Sequence, residues 1–459
     1  MIKARFLLPL GFLLSACMSV APSEMPTRAS TTSEPMLPPM KTFATPRPDV
    51  PRASNADIAR DFLDLAFRLE SGRELPVLTR FEGPITLRVT GKAPISLNID
   101  LNKLLARLRT EAGIDIRRTQ SQNASITIEA VSHSQIRKQL PQAACFVVPN
   151  VSSLSEFANS RRSQRTDWSR LSKRDRLAIF VPADAPPQEL RDCLHEELAQ
   201  ALGPLNDLYR LPDSVFNDDN VHTVLTGYDM LILRAFYSPQ LHSGLRRDDV
   251  AARLPGILAR LNPAGARLSP RYLPATPRSW IDAIQAALGP GSSATARRAA
   301  AQRALDIARS EGWTDHRRAF AHYALGRLTQ NYDADLALSH FRAAQKIYDQ
   351  QPGTKLHSAQ IAQQLAAYAI SEGRGQAALS IIDPHLNVAA QHENAALLST
   401  LLLLRAEALD LLGRSTEARL VRLDSLGWAR YGFGADWAVR AKLREITALS
   451  PLKQRDGQI

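Results

Sequence analysis

The sequence predicts an α+β domain followed by an all-α helical-repeat domain. Two observations carry this. Between residues 54 and 255, runs such as "PITLRVTG" and "ASITIEAVS" alternate in polarity like half-buried strands. They are mixed with amphipathic helical stretches, without a regular βαβ rhythm, which favours α+β. From residue 280 to 452 everything reads as helix, and three stretches resemble one another.

The chain opens "MIKARFLLPLGFLLSAC". Lys3 and Arg5 give a positive start, and Phe6 to Leu14 is an apolar run too short to span a bilayer. Leu14-Ser15-Ala16-Cys17 then reads as a lipobox, so residues 1–16 are a lipoprotein signal peptide and Cys17 the lipidation site. The expected location is the cell envelope, anchored through Cys17 and facing the periplasm. Met18 after the cysteine, in place of an inner-membrane aspartate signal, makes the outer membrane the default. Residues 17–53 are rich in Pro, Ser and Thr and read as an extended tether.

Of the 459 residues 44% are hydrophobic, enough for real cores, and the net charge is +12. The export signal argues against nucleic acid as the partner of that charge, and anionic lipid or polysaccharide fits better.

The first domain opens with Ser54 capping a helix, "IARDFLDLAFRLESG", expected to end at Gly72. Strand "PITLRVTG", helix "NIDLNKLLARLRTEAG" and strands "ASITIEAVS", "ACFVVPN" and "RLAIFVPA" follow. Between the last two lies a basic loop, Arg161 to Arg176 with Trp168 inside it. It reads as solvated, or else as a grip for an anionic polymer. Pro186-Pro187 open the next helix, which stops at Gly203-Pro204. Two more helical stretches and a Pro/Arg-rich joint close the domain near Ser279.

In the second domain, aligning the three similar stretches puts Ala337, Ala378 and Ala418 in register. Ala337, Phe341 and Ala344 keep the small-large-small spacing of a tetratricopeptide second helix, and Leu325-Gly326 supply its first-helix pair. The region resembles a loose tetratricopeptide-like array with a period longer than the standard ~34 residues. Such arrays leave a concave surface for a protein partner and rarely do chemistry.

The chemistry-bearing stretch is "DCLHEELAQALGPLND", Asp192 to Asp207. At 3.6 residues per turn, Leu190, Leu194, Leu198 and Ala201 form a core stripe. Cys193, Glu196, Glu197 and Gln200 share a separate arc, with His195 and Ala199 on the other flank. Aligning Gly203 with the glycine of the long zinc-peptidase motif puts Glu196, Gln200 and Asn206 at the three histidine positions. Glu197 then stands where the catalytic glutamate would be. Zinc prefers imidazole and thiolate, so this oxygen set, with Asp207, would better suit calcium or magnesium. Without a metal, Glu197 has no polarised water to deprotonate. His222 and His242 do not pair at ligand spacing. No cofactor is expected beyond a divalent metal that these oxygens could take.

The runs "RDFLDLAFRLESGRELPVLTRFEGPITLRVTG", "CLHEELAQALGPLNDLYRLPDSVFNDD" and "LTGYDMLILRAFYSPQL" resemble an uncharacterised bacterial secreted-domain family. Its signature is E-E-x-x-Q-x-L-G-x-x-N-D, then S-x-F-N-D and a helix ending in Y-x-P. The family is similar to metzincin-type peptidases in layout. The resemblance implies a zincin-like α+β domain over residues 54–255, with Ser214, Phe216, Asn217, Asp218 and Asp229 as further signature positions.

Cys145 and Cys193 are the two cysteines after Cys17. An even count in an oxidising compartment invites a disulfide, with free buried cysteines as the alternative. No phosphate loop, dinucleotide fingerprint, nucleophile elbow or C-x-x-C occurs. The expected function is a lipid-anchored binding or scaffold protein with a catalytically degenerate metallopeptidase-like domain. The competing expectation is a noncanonical metal-dependent hydrolase of protein or wall polymer, with Glu197 as general base and Glu196, Gln200, Asn206 and Asp207 as ligands.

Overall fold

A computed structural model of the protein describes residues 36–44 and 48–452. The expected signal peptide, residues 1–16, and the expected lipidation site Cys17 lie outside the described residues. From Pro38 onward the chain forms one compact unit.

Helix α1 (Asn55–Ala66) begins where expected, because the Ser54 hydroxyl accepts the Asp57 amide at 3.0 Å. It ends earlier than the sequence suggested. Its apolar face is complete at Leu65 and Ala66, and the Phe67 amide closes it on Leu63 O. Arg68 and Glu74 then pair as an isolated antiparallel bridge. Gly72 supplies the left-handed residue of that turn, at φ +83°, and not a helix cap.

The sheet uses β1 (Ile85–Gly91), β2 (Ile116–Arg118), β3 (Ile126–Val131), β4 (Phe146–Pro149) and β5 (Leu177–Pro182), in the order β2-β1-β3-β5-β4. Only β4 runs antiparallel, so the sheet is mixed but mostly parallel. The crossover from β1 to β2 is α2 (Ile95–Thr110). All six residues of β5 are buried, as a strand covered on both faces requires. Strand β2 and the short helices α3 (His133–Gln139) and α4 (Leu154–Ser160) were not anticipated, being too short to show a period.

Against the sheet packs α5 (Pro187–Leu202), followed by α6 (Gly227–Phe236) and α7 (Arg247–Leu261). Leu190, Leu194, Leu198 and Ala201 are buried in the main core, as the helical wheel predicts. Cys145, just before β4, and Cys193 on α5 form a disulfide with their Cα atoms 5.9 Å apart. The bridge ties the motif helix to the sheet edge.

The rest is helical: α8 (Arg278–Leu288), α9 (Ala294–Ser310), α10 (His316–Thr329), α11 (Ala334–Tyr348), α12 (Lys355–Ser371), α13 (Gly375–Gln391), α14 (Ala395–Leu411), α15 (Ser415–Phe433) and α16 (Asp436–Thr447). Consecutive helices pair as hairpins from α8/α9 to α14/α15. Ala337, Ala378 and Ala418 each fall at the fourth residue of a hairpin's second helix, and all three are fully buried. Gly326 is required by packing, since a Cβ there would lie 2.7 Å from the Phe341 ring.

The later part of the expected tether is not free. The Lys41 amide donates to Gly427 O at 3.0 Å, and Phe43 stacks on Trp428 at 4.5 Å between ring centroids. A single aromatic in a Pro-rich stretch gives no period from which to read such docking.

Candidate functional site

The motif helix needs a partner at its C-terminal end, where its last carbonyls have no intrahelical donor. Arg174 supplies one. Its guanidinium donates to Gln200 O and, at 2.6 Å, to Gly203 O, while Nε reaches the Thr79 hydroxyl at 3.2 Å. It is buried beneath Trp168, 5.2 Å from the ring centroid. Burial pushes its pKa down to about 10, so it is still charged at neutral pH. A cation at the negative end of a helix dipole is favourable. Two members of the basic loop, Arg174 and Trp168, are therefore structural and not a grip for polymer.

Of the expected ligands, Asn206 is engaged elsewhere. Glu197 and Gln200 are buried and Glu196 is half-buried. The Asn206 amide donates to Asp64 O at 3.0 Å, which pins the following loop to α1. His195, on the other flank, accepts the Leu225 amide at Nδ1, 3.0 Å away. Burial first, then Arg107 and Arg191, hold its pKa well below the usual range, so it is a neutral structural histidine.

The structure instead gathers carboxylates. Glu196, Glu197 and Asp207 stand close enough to Glu70, from the turn after α1, to feel its charge, and Glu196 and Asp207 also feel Asp218, from the loop before α6. Glu70 and Asp218 form an exposed rim, with Glu196 and Glu197 deeper. Burial, then Glu70 and Asp218, push the Glu196 pKa up to about 8. Burial, then Glu196 and Glu70, hold Glu197 well above the carboxylate range. Asp207 is likewise raised by burial and then by its acidic neighbours, and it shares a hydrogen bond with Glu70. Glu197 Oε2 and Asp207 Oδ1 are buried without a hydrogen-bond partner.

The repeats cover one side of this acidic cluster. Arg278 on α8 donates to Glu70 O at 3.1 Å. Tyr209 gives its hydroxyl proton to Asp218 at 2.9 Å and packs edge-on against Trp280. The cleft left between them holds about 150 Å³, and its charged lining is Asp64, Glu70 and Asp207 with Arg68, Arg210 and Arg278. Such a site holds protons or attracts a cation. It offers no imidazole of the kind a zinc peptidase uses.

The remaining signature residues build the loop around it. Asp229 accepts the Val215 and Thr226 amides at 3.1 and 2.8 Å, and the Ser214 hydroxyl donates to it. Asn217 donates to Leu211 O at 2.8 Å. Met230 is a core residue. Sequence reasoning missed Glu70, because it sits over a hundred residues from the motif in an unpatterned turn. It also missed Arg174, hidden among solvated arginines.

Residues 55–256, less than half of the chain, match a family described as "Protein of unknown function (DUF2927)". No curated protein and no solved structure matches the chain.

Proposed function

We propose that this is a cell-envelope binding protein, anchored through Cys17. In this reading a zincin-like domain without hydrolytic function and tetratricopeptide-like repeats act together as one scaffold for a protein partner. The observation that carries the reading is the use made of α5. The helix that holds the motif is also a spine to which the repeats attach. Arg191 pairs with Glu393 at 2.8 Å, and Gln188 accepts the Ala396 amide at 2.9 Å. A helix so fixed serves assembly, and its motif arc lacks nitrogen ligands for zinc.

The partner surface is assigned to the last hairpin and the helix that closes it. Leu420 and Leu423 on α15 are 60% and 56% exposed, and Trp437 on α16 is 75% exposed. Large exposed apolar groups are where contacts concentrate.

The competing reading is a hydrolase that uses Glu197, whose raised pKa and orphaned oxygen are features of a general acid or base. One experiment separates the two. A photo-crosslinking residue is placed at Leu420, Leu423 or Trp437, and at Arg298 as a control, in the full chain in its native envelope. The scaffold reading expects one common adduct from the first three and none from Arg298. Peptide or wall-fragment cleavage by the purified chain, lost in Glu197→Gln, would replace it with the hydrolase.

A further inference from the structure

Neither His222 nor His242 has a ligand-spaced neighbour in the sequence. For His222 the fold supplies one. His392, in the turn between α13 and α14, comes to it across 170 positions, and Asp213 joins them from the loop before α6. One ligand atom from each of these three residues lies within 4.8 Å of the other two. Among the described residues this is the set that meets that spacing, and it shares no residue with the motif cleft.

His222 is the fixed member. His222 is buried, and its Nε2 lies 3.0 Å from Pro212 O and 3.9 Å from Asp213 Oδ1. A metal held through Nε2 would replace that hydrogen bond, whereas one held through Nδ1 would keep Pro212 O as the outer-shell contact that orients the ring. The His222 and His392 rings stand 5.3 Å apart at 67°. Behind them His357 and Asp219 form a buried pair at 2.8 Å, with the His357 ring 5.9 Å from that of His222.

The other side of the cluster is open. Asp213 and His392 line a cleft of about 710 Å³, together with Asp49 and Lys355. Gly227 lets the Asp49 backbone pass close by, since a Cβ at 227 would meet Asp49 O at 2.1 Å.

We propose that Asp213, His222 and His392 bind a zinc ion that joins the α+β domain to the repeats and keeps a coordination position open to the cleft. Two imidazoles and one carboxylate with a free fourth position are a ligand set that zinc accepts. Two of the ligands come from the α+β domain and one from an inter-helix turn. Zinc binding therefore stabilises the junction, because the unfolded chain does not hold them together.

The test uses the full chain in detergent micelles, stripped with a chelator and titrated with zinc, and with cobalt as an optical probe. Wild type and Glu196→Gln are expected to bind one zinc per chain and to show the visible bands of tetrahedral cobalt. His392→Ala and Asp213→Asn should lose those bands and at least about 100-fold in affinity, more than outer-shell changes usually cost. Thermal unfolding of each metal-free variant checks that it is folded, and a zinc-dependent rise in Tm should be confined to wild type and Glu196→Gln. No zinc on wild type, or zinc retained by folded His392→Ala and Asp213→Asn, overturns the proposal. Loss of zinc in Glu196→Gln alone would move the metal to the motif cleft.

Discussion

Arg191 on α5 and Glu393 in the α13–α14 turn form a buried ion pair, Nη1 to Oε2 2.8 Å, and Glu393 holds it from a left-handed backbone at φ +51°. The equivalent positions of the α12–α13 and α14–α15 turns are Gly373 and Gly413, at φ +73° and +74°. A glutamate stands where glycine would be less strained, and the contact it makes joins the two domains. His392 is its neighbour, so the same turn presents both the ion pair and the proposed zinc ligand.

Removing Glu393 leaves Arg191 buried without its carboxylate. Glu393→Ala should cost about 3–5 kcal/mol in urea unfolding, the usual penalty for breaking a buried pair from one side. Glu393→Gly should cost roughly 1 kcal/mol less, because glycine accepts the left-handed conformation. Two variants as stable as wild type would show that the pair contributes nothing to the junction.

Arg174→Met keeps the bulk of the side chain but strips the donors from Gln200 O and Gly203 O. A loss of about 2–4 kcal/mol is expected, from two buried carbonyls losing charged donors. Amide exchange should rise first in the last turn of α5. Uniform exchange along the helix would argue that the cap is dispensable.

The acidic cluster sets a pH dependence. The Glu196 pKa is about 8 in the fold against 4.5 for a free glutamate, so its contribution to stability is complete below pH 4.5. That contribution is lost as pH rises from 4.5 through 8. Without divalent ions, Tm should therefore fall across this window, and Glu196→Gln should flatten the fall and unfold later at pH 8. Identical Tm profiles for the two proteins would contradict the burial of Glu196 beside Glu70 and Asp218.

The disulfide closes a loop with a sequence separation of 48. Reduction, or Cys145→Ala with Cys193→Ala, should lower stability by roughly 3–4 kcal/mol on the chain-entropy account. The comparison is denaturant unfolding with and without reductant, and the double variant should not respond to reductant. An unchanged wild-type midpoint on reduction would mean that the bridge adds no constraint.

Much of the fold was legible because it is local. The stripe Leu190, Leu194, Leu198 and Ala201 needs only 3.6 residues per turn to declare a buried helix face. The alternation in "ITIEAV" needs only the strand pleat, and the register of Ala337, Ala378 and Ala418 needs only a repeated hairpin. Short elements such as β2 were illegible, because three residues cannot show a period.

The sequence by itself determined the two-part architecture, the helix carrying Glu196 and Glu197, and the pairing of the two cysteines as an expectation. Only the tertiary structure decided what those residues face. It turned Asn206 toward Asp64 and brought Glu70 and Asp218 to Glu196. It put Arg174 under the motif helix and carried His392 to His222 and Asp213. The physical reason is the range of the forces involved. Periodicity and capping act within a few residues and leave a trace in the order of the letters. Burial, charge clustering and ligand geometry depend on distances between residues far apart in the chain, which exist only once it is folded.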